Sequence, residues 1–104
     1  MNYFITAIYD EPGLFVHRKA RRTFGYFSKL DEALKAVQEN RCNMQECLYN
    51  YLVIEGIGEG IHALVEEEYW FTWEEWQHQA GHCGWHRVSS KPELFNGTIN
   101  FALG

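Results

Sequence analysis

The chain has 104 residues, of which 46% are hydrophobic and 22% are charged, and both values are typical of a single globular domain. The chain contains nine Lys and Arg residues and 14 Asp and Glu residues, and the resulting net charge of −5 argues against general affinity for DNA or RNA. No apolar run reaches the roughly 20 residues of a membrane-spanning helix, and the N-terminal residues lack a secretion signal. We therefore expect no membrane partner and a cytoplasmic location.

The first 27 residues predict two strands. Residues 3–9 mix aromatic and β-branched side chains, which is typical of a strand, and residues 10–13 carry a turn signal. Residues 14–22 are interpreted either as the arm of a hairpin or as a mobile loop. Residues 22–27 predict a second strand, in which Gly25 permits a bulge or a close backbone approach.

A helix of about three turns is predicted after the second strand. Ser28 and Asp31 resemble a capping box at its start, and Asn40 marks its end. Residues 41–48 are compatible with a loop or with another short helical turn. We expect the helix to cover a sheet with its apolar stripe, which consists of Leu30, Ala33, Leu34 and Val37.

The second half of the chain predicts further strands. Residues 49–57 predict a buried central strand, and residues 67–76 predict a strand with aromatic side chains on both faces. Residues 84–90 predict a short paired strand, residues 91–95 a turn or one helical turn, and residues 98–104 a last strand. The predicted fold is α+β: a small, mainly antiparallel β-sheet covered by one principal helix, in a single domain.

The histidine-rich stretch of residues 78–86 raises the question of a metal site. His78, His82 and His86 are spaced by four, which would place all three on one side of a strand. However, Gly81 and Gly84 would break a helix here, and an exposed hairpin rarely gives metal ligands rigid support. We therefore expect no metal site.

Catalytic motifs are poorly represented. The sequence has no Gly-rich phosphate loop, no HExxH motif and no serine in a nucleophile-elbow setting. Cys83 lies beside His82, but adjacency in sequence is not the alignment that nucleophilic catalysis needs. We expect no catalytic residues, no cofactor and no enzymatic activity, with a metal-dependent enzyme built on the histidines as a remaining possibility.

Aromatic and basic residues give a more informative signal. Aromatic residues reach 16%, and residues 70–85 contain all four tryptophans. Indole rings stack on nucleobases at roughly 1–3 kcal/mol per base, although most aromatic side chains pack a core or an interface. Residues 18–22 hold four of the nine basic residues. This stretch is interpreted as a local anion site or as a solvated basic loop. Arginines that bind a diphosphate while a ring stacks on adenine would suit a nucleotide-like ligand.

The order of short motifs along the chain resembles one known family. These motifs are AIYD, RTFGYF, a helix ending in EN, YNYLVIE, EYWFTW, W-x-x-V and INFALG. In this order they resemble the Thoeris anti-defence family, specifically the first described type of phage-encoded sponge, from about residue 3 to residue 104.

The resemblance implies a binding function without cleavage. Members of that family sequester isomers of cyclic ADP-ribose made by bacterial TIR-domain enzymes, so that the Thoeris effector is not activated. It implies glyco-cyclic ADP-ribose as the ligand, ligand pockets at the junctions of a homo-oligomer, for example a hexamer, and the host bacterial cytoplasm as the location of a phage-encoded chain. Because residues 17–22 are more basic than the family pattern, a cyclic oligonucleotide is a second or alternative ligand.

Site residues follow from the same resemblance. Arg22 is expected to contact a phosphate, with Arg18 and Arg21 as further anion contacts. Base stacking is expected of Phe24, Trp70 and Trp73, and a hydrogen bond to adenine or ribose of Asn100. The alternatives are a surface salt bridge for Arg22, core packing for the aromatic residues and backbone contacts for Asn100. A different functional class also stays open: a small protein that binds or inhibits another protein through its aromatic surface.

Overall fold

Five antiparallel strands form one sheet in the computed structural model, which describes residues 1–12, 17–44, 49–61, 63–75, 83–95 and 100–103. The strands are β1 (Asn2–Pro12), β2 (His17–Phe27), β3 (Tyr51–Ile57), β4 (Val65–Glu75) and β5 (Cys83–Val88). Their order is β2-β1-β3-β4-β5, so β2 and β5 lie at the edges. One α-helix, α1 (Leu30–Gln38), connects β2 to the central strand β3 and contacts the sheet. The predicted single-domain α+β fold is confirmed.

The hairpin of β1 and β2 contains a bulge, which is one of the two alternatives that Gly25 left open. Pairing runs from Tyr3 opposite Phe27 to Pro12 opposite His17, so the described part of the basic stretch is a hairpin arm and not a mobile loop. Thr23 lies opposite Thr6, and Gly25 lies opposite Ile5. Phe24 therefore has no partner residue on β1 and is the extra residue of a bulge. Gly25 has a φ of +154°, which suits glycine.

The bulge changes which side chains share a face of the sheet. Phe24 and Phe27 are three residues apart, and regular alternation would direct them to opposite faces. Both nevertheless pack against the core on the side that α1 covers. The extra residue therefore allows one short strand to contribute two aromatic rings to the same side.

Helix α1 buries its predicted stripe but begins differently from the prediction. Ala33, Ala36 and Val37 are buried, and Leu30 and Leu34 pack against the same core. The N-cap residue is Lys29, which makes no side-chain cap hydrogen bond, so the capping box of Ser28 and Asp31 is wrong. Asp31 Oδ1 instead accepts a hydrogen bond of 3.1 Å from the backbone N–H of Glu32.

The end of the helix agrees with the prediction. Asn40 adopts a left-handed conformation with φ of 46°, directly after the C-cap residue Glu39. Arg41–Asn43 then form a 3-10 turn, so the short helical turn is the correct alternative there. A second 3-10 turn, Glu93–Phe95, agrees with the turn or helical turn that was predicted for residues 91–95. No helix in the described ranges is long and apolar enough to span a membrane.

Hydrophobic residues are buried on both faces of the sheet. On one face, α1 and the segment after it cover a core of Ile5, Ala7, Leu52, Ile54, Phe71 and Trp85. The other face carries a second core of Ile8, Val53, Trp70, Phe95 and Phe101. Because Phe95 and Phe101 follow the last strand, the C-terminal segment is the cover of this second face.

The predicted last strand is wrong within the described part of residues 98–104. Phe101 and Ala102 lie in a bend, and residues 100–103 contain no strand. The physical reason is the bonding of their backbone, because the N–H groups of Phe101 and Ala102 donate to a side chain instead of to a neighbouring strand.

That side chain is the carboxylate of Glu55 on β3, which is 0% exposed. Its two oxygens accept hydrogen bonds of 3.0 and 3.1 Å from the N–H of Phe101, and Oε1 accepts one of 2.9 Å from the N–H of Ala102. Burial raises the pKa of Glu55 above its ordinary value, and the two backbone donors act in the opposite direction. The carboxyl group thus fastens the C-terminal segment to the sheet.

We predict that Glu55→Ala lowers the free energy of unfolding by about 2 kcal/mol or more, because it removes the acceptor of the buried N–H of Phe101 and of the half-buried N–H of Ala102. Urea denaturation measures this change. The matched control is Glu59→Ala in the exposed loop after β3, for which we expect a change within about 0.5 kcal/mol. Equal effects of the two substitutions would contradict the fastening role of Glu55.

The raised pKa of Glu55 also predicts a pH dependence of stability. The folded chain binds this proton more tightly than the unfolded chain, in which the pKa is near 4.5. The contribution of this bound proton to the free energy of unfolding is therefore complete below about pH 4.5, and it is lost as the pH rises through the folded-state pKa of Glu55. Glu55→Gln does not titrate, so the free energy of unfolding of the wild type minus that of the variant should fall with rising pH. A constant or rising difference would be inconsistent with this coupling.

Candidate functional site

Arg22 and Phe24 form a pair at the edge strand β2. The guanidinium carbon of Arg22 lies 5.0 Å from the centroid of the Phe24 ring, and Arg22 is exposed. Phe24 in turn meets Tyr49 edge to face, with ring centroids 6.2 Å apart. An arginine over an aromatic face is held by electrostatic attraction to the ring. Both sequence-predicted residues therefore lie side by side on the side of the sheet that α1 covers.

A cavity of about 220 Å³ lies beside this pair, between β2 and the segment after α1. Its lining is mostly apolar, with one guanidinium and one thiol, and consists of Ile5, Phe24, Gly25, Tyr26, Phe27, Ala36, Arg41, Cys42 and Met44. These described lining residues include no carboxylate and no histidine. The cavity can therefore take up a flat apolar group.

Arg41 supplies the guanidinium group of the cavity lining, whereas Arg22 lies beside the cavity, over Phe24. Its guanidinium carbon lies 6.0 Å from the centroid of the Phe27 ring, and its Nη2 lies 2.9 Å from Glu39 Oε2. The hydrogen bond from Arg41 lowers the pKa of Glu39. Sequence reasoning missed Arg41, because residues 41–48 were compatible with a loop or a helical turn, and only the observed turn brings Arg41 beside Phe27.

The other two predicted arginines do not join Arg22 in a cluster. Arg21 pairs with Ile8 of β1, whereas Arg22 pairs with Ala7, and neighbouring residues of a strand project to opposite faces. Arg18 lies opposite Glu11 near the tip of the hairpin, and the structure describes only its backbone position. Among the described residues of the basic stretch, Arg22 is therefore the arginine that lies beside Phe24.

Trp70 is part of the second core and not of an open surface. It is 2% exposed, and its ring stacks on Phe95 at 5.1 Å and meets Phe101 edge to face at 5.3 Å. Its indole Nε1 donates a hydrogen bond of 3.1 Å to Glu68 Oε2. Core packing, the alternative to base stacking, is therefore the observed environment of Trp70, because its ring has no exposed face on which a base could stack.

Trp73 lies away from Arg22 on the face that α1 covers. Its ring meets Trp85 edge to face at 5.3 Å, and Trp85 Nε1 donates to Asn40 Oδ1 at 3.2 Å. Two strands, β1 and β3, separate β4 from β2, which corresponds to about 14 Å at the usual spacing of strands. Trp73 therefore does not contact the Arg22–Phe24 pair.

Asn100 and the histidines also lie apart from the cavity. Asn100 Oδ1 accepts a hydrogen bond of 2.7 Å from the backbone N–H of Leu103, which is the backbone alternative for this residue. His78 and His82 are outside the described residues, while His86 on β5 has its Nδ1 4.0 Å from Glu74 Oε2. Within the described ranges, no group of three or more His, Cys, Asp or Glu residues is arranged to hold a metal ion.

Comparisons with known proteins add no relative: no family model, no curated protein and no solved structure matches the chain. The candidate site is therefore defined by its own geometry. It consists of the cavity beside β2 and of two guanidinium groups, each of which lies over an aromatic ring of the cavity lining.

We predict that Trp70→Ala lowers the free energy of unfolding by about 3–5 kcal/mol, because it removes a buried ring between two others. Chemical denaturation followed by circular dichroism measures the change. Leu64→Ala is the control, because Leu64 is 72% exposed and its truncation should change stability by about 0.5 kcal/mol or less. A small effect of Trp70→Ala would exclude the packing role.

Proposed function

We propose that this protein binds and sequesters a cyclic ADP-ribose isomer, with glyco-cyclic ADP-ribose as the expected ligand, and that it does not cleave the ligand. The observation that carries the proposal is the pairing of Arg22 with Phe24 and of Arg41 with Phe27 around one cavity. The order of motifs that resembles the Thoeris anti-defence sponges supports the same ligand class.

The proposed mode of binding divides the ligand into two chemical parts. The adenine ring enters the apolar cavity, where Phe24 and Phe27 offer ring surfaces. The diphosphate accepts hydrogen bonds from Arg22 and Arg41, whose planar guanidinium groups match phosphate oxygens in pairs. Glu39 already forms an ion pair with Arg41. When the ligand binds, Arg41 therefore either leaves Glu39 for the diphosphate or contacts both groups.

The size of the cavity supports a site that a second subunit completes. At about 220 Å³ it is smaller than the roughly 300–1,000 Å³ of typical small-molecule sites. Strand β2 is an edge strand, so the Arg22–Phe24 pair lies at a border where another copy has access. We therefore propose a homo-oligomer, for example a hexamer, in which a neighbouring subunit covers the remainder of the ligand.

Effective sequestration requires tight binding. A nanomolar dissociation constant corresponds to about −12 kcal/mol, which a polar ligand reaches only in a preorganised site. The bulge places Phe24 on this side of the sheet, and the Arg22 guanidinium carbon lies 5.0 Å from the centroid of its ring, which supports preorganisation of the two groups. In the host bacterial cytoplasm, such capture would keep the TIR-derived signal from its effector and block Thoeris anti-phage defence. A cyclic oligonucleotide remains a second proposed ligand.

A small inhibitor that acts through an aromatic surface is the alternative function. The packing of the described residues gives this alternative less support, because Trp70, Trp85, Phe95 and Phe101 are buried. Tyr26, at 60% exposure, is the one aromatic side chain among the large exposed hydrophobic residues of the described part. Copurification of a stoichiometric partner protein, unaffected by Arg22 substitutions, would favour this alternative.

We predict that Arg22→Gln weakens binding of glyco-cyclic ADP-ribose at least about tenfold, because it removes charged hydrogen bonds to phosphate. Isothermal titration calorimetry measures the dissociation constant. Arg21→Gln removes the same charge from the neighbouring position on the opposite face, and we expect a change below about threefold for it.

The fate of the ligand tests the absence of catalysis. After incubation with the protein and release by heat, the ligand should be recovered unchanged by mass spectrometry. A converted product would contradict sequestration, and so would an Arg22→Gln variant that binds like the wild type.

A further inference from the structure

A second cavity, of about 170 Å³, lies at the opposite edge of the sheet, where β5 ends. Val88 is the last residue of β5 and pairs with Trp70, whereas β4 extends beyond this pair through Tyr69 and Glu68. The chain bends away at Ser89 and Ser90, which leaves a recess beside β4. The polar side chains of its lining belong to Glu68, Arg87, Ser89, Ser90 and Lys91.

Arg87 supplies the donors of this recess. Its guanidinium carbon lies 4.8 Å from the centroid of the Tyr69 ring, which orients the planar group. Within the described part of the chain, Arg87 forms no ion pair and no hydrogen bond through its guanidinium group. An exposed arginine without a carboxylate partner, in a chain of net charge −5, keeps its paired N–H donors for an anion.

The other polar groups of the recess complement Arg87. Lys91 also lines the recess, and its Nζ lies 5.7 Å from the centroid of the Phe101 ring. Ser89 and Ser90 are exposed and add two hydroxyl groups. Glu68 is a further lining residue, and its Oε2 accepts a hydrogen bond of 3.1 Å from Trp70 Nε1. The recess therefore combines two cations and two hydroxyls with one fixed acceptor.

We propose that this recess binds a phosphate monoester of a sugar. The phosphate oxygens accept hydrogen bonds from Arg87, the serine hydroxyls and Lys91, while a sugar hydroxyl donates to Glu68. Glu68 would repel a bare anion but accepts a hydroxyl, so it selects a phosphorylated sugar over inorganic phosphate. The proposal is independent of the nucleotide site beside β2, because the two cavities share no lining residue.

Titration of the full chain with D-ribose 5-phosphate, inorganic phosphate and D-ribose, followed by isothermal titration calorimetry, tests this site. We expect ribose 5-phosphate to bind more tightly than either of the other two probes. Arg87→Gln should weaken the binding of ribose 5-phosphate at least about tenfold, since it removes charged hydrogen bonds to the phosphate. Arg22→Gln, at the other edge of the sheet, should leave this affinity unchanged. The thermal midpoint of each variant checks that it is folded.

Glu68→Gln provides a second variant with a distinct result. The amide keeps an oxygen for Trp70 but removes the charge, so inorganic phosphate should bind more tightly and the preference for the sugar phosphate should shrink. The proposal is overturned if ribose 5-phosphate does not bind, if Arg87→Gln has no effect, or if inorganic phosphate binds the wild type equally well. Loss of ribose 5-phosphate binding in Arg22→Gln would also overturn it, because the ligand would then occupy the site beside β2.

Discussion

The hydrogen bonds between the Glu55 carboxylate and the N–H groups of Phe101 and Ala102 hold the C-terminal segment on the sheet. A fully buried carboxylate is costly unless donors surround it, and unpaired N–H groups in the same place would be costly as well. Each partner therefore compensates for the burial of the other. This contact brings Phe101 against Trp70 and Phe95, and so it determines that the second face of the sheet becomes a core.

Because hydrophobic cores occupy both faces, the arginines that we propose to recognise ligands lie at the edges of the sheet. Arg22 lies at the β2 edge and Arg87 at the β5 edge, and each guanidinium group lies over an aromatic ring. Neither has a carboxylate partner in the described part of the chain, although acidic residues outnumber basic ones by 14 to nine. Rings hold these arginines in place without neutralising them, which is the state that anion binding requires.

Much of the fold could be predicted, because the strands and the helix carry periodic patterns. Residues 49–57 contain the buried central strand, and the bulge opposite β1 is one of the two alternatives that Gly25 indicated. The failures have local physical reasons. Asp31 is one methylene shorter than the glutamate of a capping box and bonds its neighbour Glu32 instead. Residues 98–104 have the composition of a strand, but their described backbone donates to Glu55.

The candidate site could be predicted only in part. Arg22 and Phe24 lie on the same strand two residues apart, so the sequence by itself determined that they are neighbours, as it determined the strands, the apolar stripe of α1 and the net acidic charge. Which aromatic rings are open to a ligand was decided by the tertiary structure alone. Trp70 and Phe24 are both strand aromatics, yet Trp70 is buried because Phe101 covers it, and Phe101 is anchored to Glu55, from which it is 46 residues away in sequence. Burial depends on such distant contacts, whereas the pattern along one strand records only the alternation of its side chains.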